Sequence, residues 1–253
     1  MYAEERQQEI VRLARSNGRV DVATLAGTLQ VTTETIRRDL TVLERAGVLR
    51  RVHGGAIPAE RLGFEPALAT RDSVLIHEKE RIAAMALAEV PSEGSIILDA
   101  GSTTARLAEA LPTDRELTVV VNSPVIATLL GSRPNLHVLL LGGRLRARTL
   151  ATVEDWALRA LADLYVDVAF LGTNGCSVRR GLTTPDPAEA SVKRAMIAAA
   201  RRAVLLADHT KLGTDHFARF GSLTDLDLIV TDAGVEDGLA VELESAGVRV
   251  VQA

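Results

Sequence analysis

Aromatic side chains are scarce in this sequence, at 3%, although hydrophobic residues reach 47%. A core with so few rings must be built from Ala, Leu and Val, which favours helices packed on parallel strands. One cysteine, Cys176, excludes an internal disulfide and fits a reducing cytosol. With no activating partner near it in sequence, it is expected to be inert. No run approaches the roughly 20 uncharged apolar residues of a membrane span. The opening MYAEERQQEI has neither the basic start nor the apolar run of a secretory leader. These absences lead us to expect a cytoplasmic protein with no membrane partner. Metal spacing is lacking too: His209 and His216, with Asp208 and Asp215, share a loop without fixed helical spacing, so neither a metal nor another cofactor is expected.

An excess of positive charge is also missing. The net charge of −4 argues by itself against a nucleic-acid partner, but the charge is unevenly divided. Residues 1–58 hold nine arginines and seven acids, for +2, and the remainder carries −6. A small basic module on an acidic body is compatible with local contact to DNA.

What the basic module contains is most legible in Val31–Ala56, VTTETIRRDLTVLERAGVLRRVHGGA. Thr32 and Thr33 are placed to cap a helix, and Ile36, Leu40 and Leu43 recur at spacings of four and three to make one buried face. Thr35, Arg37, Arg38 and Thr41 fall mainly off that stripe, where hydroxyls and arginines suit phosphate oxygens and guanine edges. Gly47 ends the helix, Val48–Val52 reads as a strand, and His53-Gly54-Gly55 reads as a turn flanked by Arg50 and Arg51. Upstream, Glu4–Ser16 and Val22–Leu29 read as two more helices. Three short helices and a β-wing have the size and order of a winged helix-turn-helix.

The stretch resembles the DeoR/GlpR family of bacterial transcription regulators. The resemblance is carried by Val31-Thr32, by Thr35-Ile36-Arg37-Arg38-Asp39-Leu40, by Leu43-Glu44 and Gly47, and by Arg51-Val52-His53-Gly54-Gly55-Ala56. It implies double-stranded operator DNA as a partner, with Thr32, Thr33, Thr35, Arg37, Arg38, Arg51 and His53 as the contacting residues.

Beyond a DNA-binding domain at 1–57, Pro58, Gly63 and Pro66 interrupt the pattern, so 58–74 reads as a linker, anchored through Phe64 and Arg71. From 75 to 253 apolar strands alternate with amphipathic helices: strands at Ser95–Asp99, Leu117–Val121, His137–Leu141, Asp167–Leu171, Ala203–Ala207, Leu228–Thr231 and Arg249–Val251. That order predicts a parallel α/β sheet covered on both faces, and ligands bind such sheets beyond the C-terminal strand ends. There the sequence places Asp99-Ala100-Gly101-Ser102-Thr103-Thr104, Asn122-Ser123, Gly142-Gly143-Arg144 and Asp208-His209-Thr210-Lys211. Glycine, hydroxyls and free helix amides suit a phosphate. Trp156 reads as core or interface.

This half resembles the family's effector domain, through Lys79, Asp99–Thr104, Asn122-Ser123, Gly142-Gly143, Leu171-Gly172, Gly181-Leu182-Thr183, Lys193, Asp208–Lys211 and Thr231-Asp232. The resemblance implies a fold related to ribose-5-phosphate isomerase and a phosphorylated-sugar effector. By it Ser102, Thr103, Thr104 and Lys211 hold the phosphate, Asp99, Asn122 and Gly143 line the sugar side, Gly101 belongs to the effector-binding set as the glycine that lets the backbone approach, and Lys79 and Lys193 are weaker candidates. Where the family often has Val-Gly, this chain has Val153-Glu154, which should change which sugar fits. The overall look is closest to actinobacterial fructose-operon repressors, which makes fructose 1-phosphate the first effector expected. The alternative is a sugar-phosphate isomerase or deaminase with an accessory DNA-binding domain. The related isomerases carry acidic residues where this chain reads Leu171-Gly172-Thr173-Asn174-Gly175. Thr and Asn cannot act as a general acid or base there, so a sensor without turnover is expected. A homo-oligomer, a dimer or a multiple of it, is expected because one small module makes few base contacts.

Overall fold

The computed structural model describes residues 2–17, 19–52, 54–58 and 65–253, which fall into two compact units, Met1–Pro66 and Ala67–Ala253. His53 and Phe64 lie outside the described residues.

In the first unit, α1 (Ala3–Asn17), β1 (Val20–Asp21), α2 (Val22–Thr28) and α3 (Thr33–Arg45) precede the strands β2 (Leu49–Val52) and β3 (Gly55–Pro58). Asp21 caps α2 by accepting from the Ala23 and Thr24 amides, and the Thr32 hydroxyl caps α3 by accepting from the Thr35 amide at 3.1 Å. Ile36, Leu40 and Leu43 face Ile10, Ala14, Leu25 and Ala26 in one core. The wing has an extra strand that the sequence reading lacks: β1 pairs antiparallel with β3, giving the order β1-β3-β2. Two residues are too few for a periodic signal. The pairing needs glycine at 55, where a Cβ would lie 2.0 Å from the Val20 carbonyl oxygen.

The second unit opens with a departure from the expected linker. Leu68–Asp72 is a short helix, α4. Its Leu68 amide donates to the Arg148 carbonyl at 3.0 Å, and Arg106 pairs with Asp72 at 2.9 Å. These partners are remote in sequence, so no local pattern announces the helix.

After α4 come α5 (Ile76–Ala86), β4 (Gly94–Leu98), α6 (Ser102–Ala110), β5 (Leu117–Val121), α7 (Pro124–Leu130) and β6 (Leu136–Leu140). A hairpin of β7 (Arg144–Arg146) and β8 (Ala151–Val153) leads to α8 (Asp155–Ala162) and β9 (Val166–Leu171). Then follow β10 (Gly175–Ser177), β11 (Gly181–Thr184), α9 (Pro187–Ala198), β12 (Ala200–Leu206), β13 (Ala218–Gly221), β14 (Leu228–Thr231), α10 (Asp237–Ser245) and β15 (Arg249–Gln252). The main sheet has seven strands in the order β15-β14-β12-β9-β4-β5-β6, parallel at every pairing.

Alternate residues of these strands feed two apolar layers. Ile96, Leu98, Val119, Val121, Val168 and Phe170 meet Ile82 and Ala83 of α5, Leu107 of α6 and Ile126 of α7. Ile97, Val120, Ala169 and Leu205 meet Ala157 and Leu161 of α8, Val192 and Met196 of α9 and Leu243 of α10. Phe170 and Phe220 are the only aromatics among the largest fully buried side chains; the others named are Ile and Leu. A second, antiparallel sheet, β10-β11-β13, packs beside α9.

The chain runs outward from β4 in both directions, to β5 and β6 on one side and to β9, β12, β14 and β15 on the other. The strand order therefore reverses between β4 and β9, and the crevice beyond their C-terminal ends is where such a sheet accepts a ligand.

Candidate functional site

On the first unit, Thr32, Thr33, Arg37 and Arg38 are exposed on α3 and Arg51 on β2, while Thr35 is half-buried. The Thr32 hydroxyl lies 2.9 Å from that of Thr35. Arg37 meets Glu34 at 3.4 Å, an exposed pair that contributes little, so its guanidinium stays available. The Arg51 amide donates to Glu44 at 2.9 Å, and its guanidinium donates to Thr41 at 3.3 Å, which fastens the wing to α3. Asp39, between the exposed Arg38 and the buried Leu40, does something different. It is buried, accepting from Arg6 Nε at 2.6 Å and Gln7 Nε2 at 3.0 Å, and so ties α1 to α3.

On the second unit, the loops after β12, β9, β4 and β5 are neighbours in space because the strands are. Gly101 takes the N-cap position of α6 without any side-chain cap. The hydroxyls of Ser102 and Thr103 make no hydrogen bond among the described residues, although both residues are buried. An uncapped helix start carries free N–H groups and a partial positive charge. Thr104, in contrast, donates to the Asp99 carbonyl at 2.6 Å, and its hydroxyl shapes the turn. Asn122 Oδ1 accepts from the Ala100 amide at 2.8 Å and holds the same turn from β5. Gly143 has φ +133°, and a Cβ there would sit 2.4 Å from the Val153 carbonyl oxygen, so its role is to let the β7–β8 hairpin close.

Asp99 spans the reversal point. Its Oδ2 accepts from the Gly172 amide at 3.0 Å and forms an ion pair with the buried Lys193, whose ammonium also donates to the Gly172 carbonyl at 3.0 Å. Lys193 further lies 5.5 Å from the Phe220 ring centroid. Lys193, a weaker effector candidate by sequence, is thus buried in an ion pair and not solvated on the helix surface. Lys79 is also buried; it donates to the carbonyls of Arg71 and Val74 and so holds the end of α4. Burial pushes its ammonium down to about 8, with Asp208 acting in the other direction and Lys211 lowering it further.

Lys211 is half-buried, and its ammonium has no ion pair among the described residues. Its neighbour Asp208 is raised by burial, but Lys211, the Thr210 hydroxyl, Lys79 and His209 outweigh that and leave the carboxyl below its usual range. All three lysines of the chain, Lys79, Lys193 and Lys211, thus belong to this region. His209 Nδ1 and amide meet the two oxygens of buried Asp232, each at 2.8 Å. The carboxylates at the strand ends, Asp99, Asp208 and Asp232, are accordingly each matched by a cation or a donor.

Outside the mouth, Cys176 is buried and its thiol is pushed up to about 12 by burial, then by Asp215, which keeps it unreactive at neutral pH. Asp215 is occupied by Ser177 and by Arg179 at 2.6 Å. No cluster of three or more His, Cys, Asp or Glu suited to a metal occurs among the described residues. No helix is long and apolar enough to cross a membrane among those residues. Trp156 is not core: it is 71% exposed. Glu154 has φ +75° and ψ −159°, a region that glycine tolerates and other residues do not, and its carboxylate meets Arg144 at 2.7 Å.

Two family models match the chain: the DeoR-like helix-turn-helix domain over residues 6–61 and the DeoR C-terminal sensor domain over residues 75–233. The chain belongs to the DeoR family of transcriptional regulators. It is 39% identical over 251 residues to the HTH-type transcriptional regulator GlpR of Haloferax volcanii, covering 99% of this chain and 98% of that one. It is 36% identical over 233 residues to the uncharacterized HTH-type transcriptional regulator FruR of Bacillus subtilis, covering 92% of each. The α/β unit is similar in fold to ribose 5-phosphate isomerase A from Methanocaldococcus jannaschii (18% identity, TM-score 0.40, 53% of each chain), a likeness too distant to bear on function. Membership makes the protein a DNA-binding regulator whose second unit is a sensor and not a catalyst.

The sequence reading missed the bracing roles of Asp39, Asp99 and Asn122 and the pairing of His209 with Asp232. A carboxylate directly beside a buried apolar position, as Asp39 is, was the one available signal.

Proposed function

We propose that this regulator represses a sugar-catabolism operon as a homo-oligomer and releases its operator when a phosphorylated sugar binds the second unit. Thr32, Thr33, Thr35, Arg37, Arg38, Arg51 and His53 form the DNA-contacting set, with α3 in the major groove of double-stranded DNA. The effector phosphate lies on Gly101, Ser102 and Thr103 opposite the Lys211 ammonium, and Asp99, Thr104, Asn122, Gly143 and Lys79 keep that mouth in shape. The observation that carries this reading is the uncapped start of α6 at the reversal point of the sheet, with two unbonded hydroxyls on it. That arrangement suits an anion. Fructose 1-phosphate is the first ligand to try, on the resemblance noted above.

The reading is tested by titrating a fragment of the flanking genomic DNA against the protein, alone and with a panel of sugar phosphates. One of them should weaken binding, and inorganic phosphate at the same concentration should not. Arg38→Ala and Arg37→Ala should each weaken operator binding by about 1–3 kcal/mol if they read bases, or reduce the salt slope by about one if they hold phosphate. Two variants that bind as tightly as wild type would remove α3 from the interface.

A further inference from the structure

Among the described residues, the main sheet has one edge that nothing protects. β6 reads LHVLL, without charge, proline or bulge, and among the described residues it pairs only with β5. The opposite edge, β15, carries Arg249 and Gln252. An edge strand presents a row of unpaired N–H and C=O groups, and natural edges are blunted by charge, proline or bulges because such a row is a template for another strand.

The surface around β6 is apolar as well. Leu139 and Leu140, adjacent residues on opposite faces of the strand, are both exposed, Leu140 by 50%. Val125 and Leu129, one turn apart on α7 beside β6, are exposed, as is Leu145 on the hairpin. Trp156 lies against Gly142 just beyond the end of β6: a Cβ at Gly142 would meet its Cε3 at 3.5 Å. Exposed apolar residues grouped around an open strand edge fit an interaction site, and tryptophan is among the residues most enriched as interface anchors.

We infer that this face joins two copies of the chain, with their β6 strands antiparallel across a two-fold axis and their main sheets continuous. The occupant follows from what is exposed. A row of backbone donors and acceptors requires an extended strand, and a strand apolar on one face, with only His137 beside Leu139 on the other, requires a largely apolar one. β6 meets both conditions, and a two-fold axis makes it its own complement. The rim fits the same symmetry. Arg144–Glu154 and Asp155–Arg159, beside the patch, are each paired within one copy, so the rim presents no net charge that a second copy would repel. This locates the self-association proposed above and rests on it. It also sets the Gly142-Gly143 loop, at the rim of the effector mouth, against the partner copy.

Trp156 is the only tryptophan, so tryptophan emission on the full chain reports this face alone. In the dimer, identified by light scattering, the emission should be blue-shifted and protected from acrylamide. Leu140→Lys places a charge on the exposed edge and should give a monomer with red-shifted, quenchable emission and an unchanged circular dichroism spectrum. Leu139→Glu, on the other face of the strand, provides a second variant should the first misfold. A dimer in which Trp156 remains freely quenchable and Leu140→Lys still dimerises overturns this interface but leaves self-association standing. A wild-type monomer at micromolar concentration with operator present overturns both.

Discussion

Replacing Lys193 with alanine should destabilise the second unit by about 3–5 kcal/mol. Removing one member of a buried ion pair leaves the other charge without compensation, and both members here are nearly inaccessible. Asp99 would keep the Gly172 amide, but the ammonium that neutralises it and also holds the Gly172 carbonyl would be gone. The damage should centre on the crevice between β4 and β9, so effector binding should fail along with stability. The double variant Asp99→Asn, Lys193→Met should recover much of the loss, since a neutral amide can still accept from Gly172 and no charge is buried. Hydrogen exchange on the full chain, read at the β4 and β9 amides, separates this unit from the first. Equal protection in the single and double variants would mean that the pair is not what holds the crevice.

Arg6→Ala should have a comparable effect on the first unit, about 3–5 kcal/mol, because it strands Asp39 in the interface of α1 with α3. Asp39 would then keep only Gln7. A unit of this size buries little surface and has little stability to lose. Operator binding should disappear while the second unit still binds its effector with wild-type affinity. Retained operator affinity in Arg6→Ala would show that Gln7 and the apolar core suffice. Arg6→Lys should rescue only in part, since an ammonium cannot reproduce the two-nitrogen grip of the guanidinium on the carboxylate.

Both sites illustrate where sequence pattern carries information and where it does not. The α3 stripe is legible because Ile36, Leu40 and Leu43 repeat with the helix period and nothing competes with that signal. The parallel strands are legible because each is a continuous apolar run between amphipathic helices. The β7–β8 hairpin and the β10-β11-β13 sheet are not: strands of three or four residues are too short for a periodic signal, and β13 joins β11 through partners such as Leu182 with Gly221, far apart in the chain. Lys193 looks like any helix lysine until Asp99, on another strand end, comes to meet it. The mouth could be located from strand ends alone, but which of its polar groups face a ligand could not. Asp99, Thr104 and Asn122 carry the same side chains whether they brace the turn or line the pocket. Glu154 is a further case: its departure from a glycine pattern was visible, but its positive φ became apparent only with the backbone.

The central claim is that an anion held at the start of α6 and by Lys211 governs operator affinity. A ligand can do this only if it binds the DNA-free arrangement better than the DNA-bound one; tight binding without that preference shifts nothing. The direct measurement is an operator titration by fluorescence anisotropy, with and without fructose 1-phosphate or whichever sugar phosphate proves active, on wild type and Lys211→Ala. The wild type should lose about 5–150-fold in operator affinity, the range of a coupling of ~1–3 kcal/mol. Lys211→Ala should bind operator as wild type does and show no response to the ligand. Release of operator by Lys211→Ala at the ligand concentration that releases wild type would contradict the claim and move the phosphate site elsewhere.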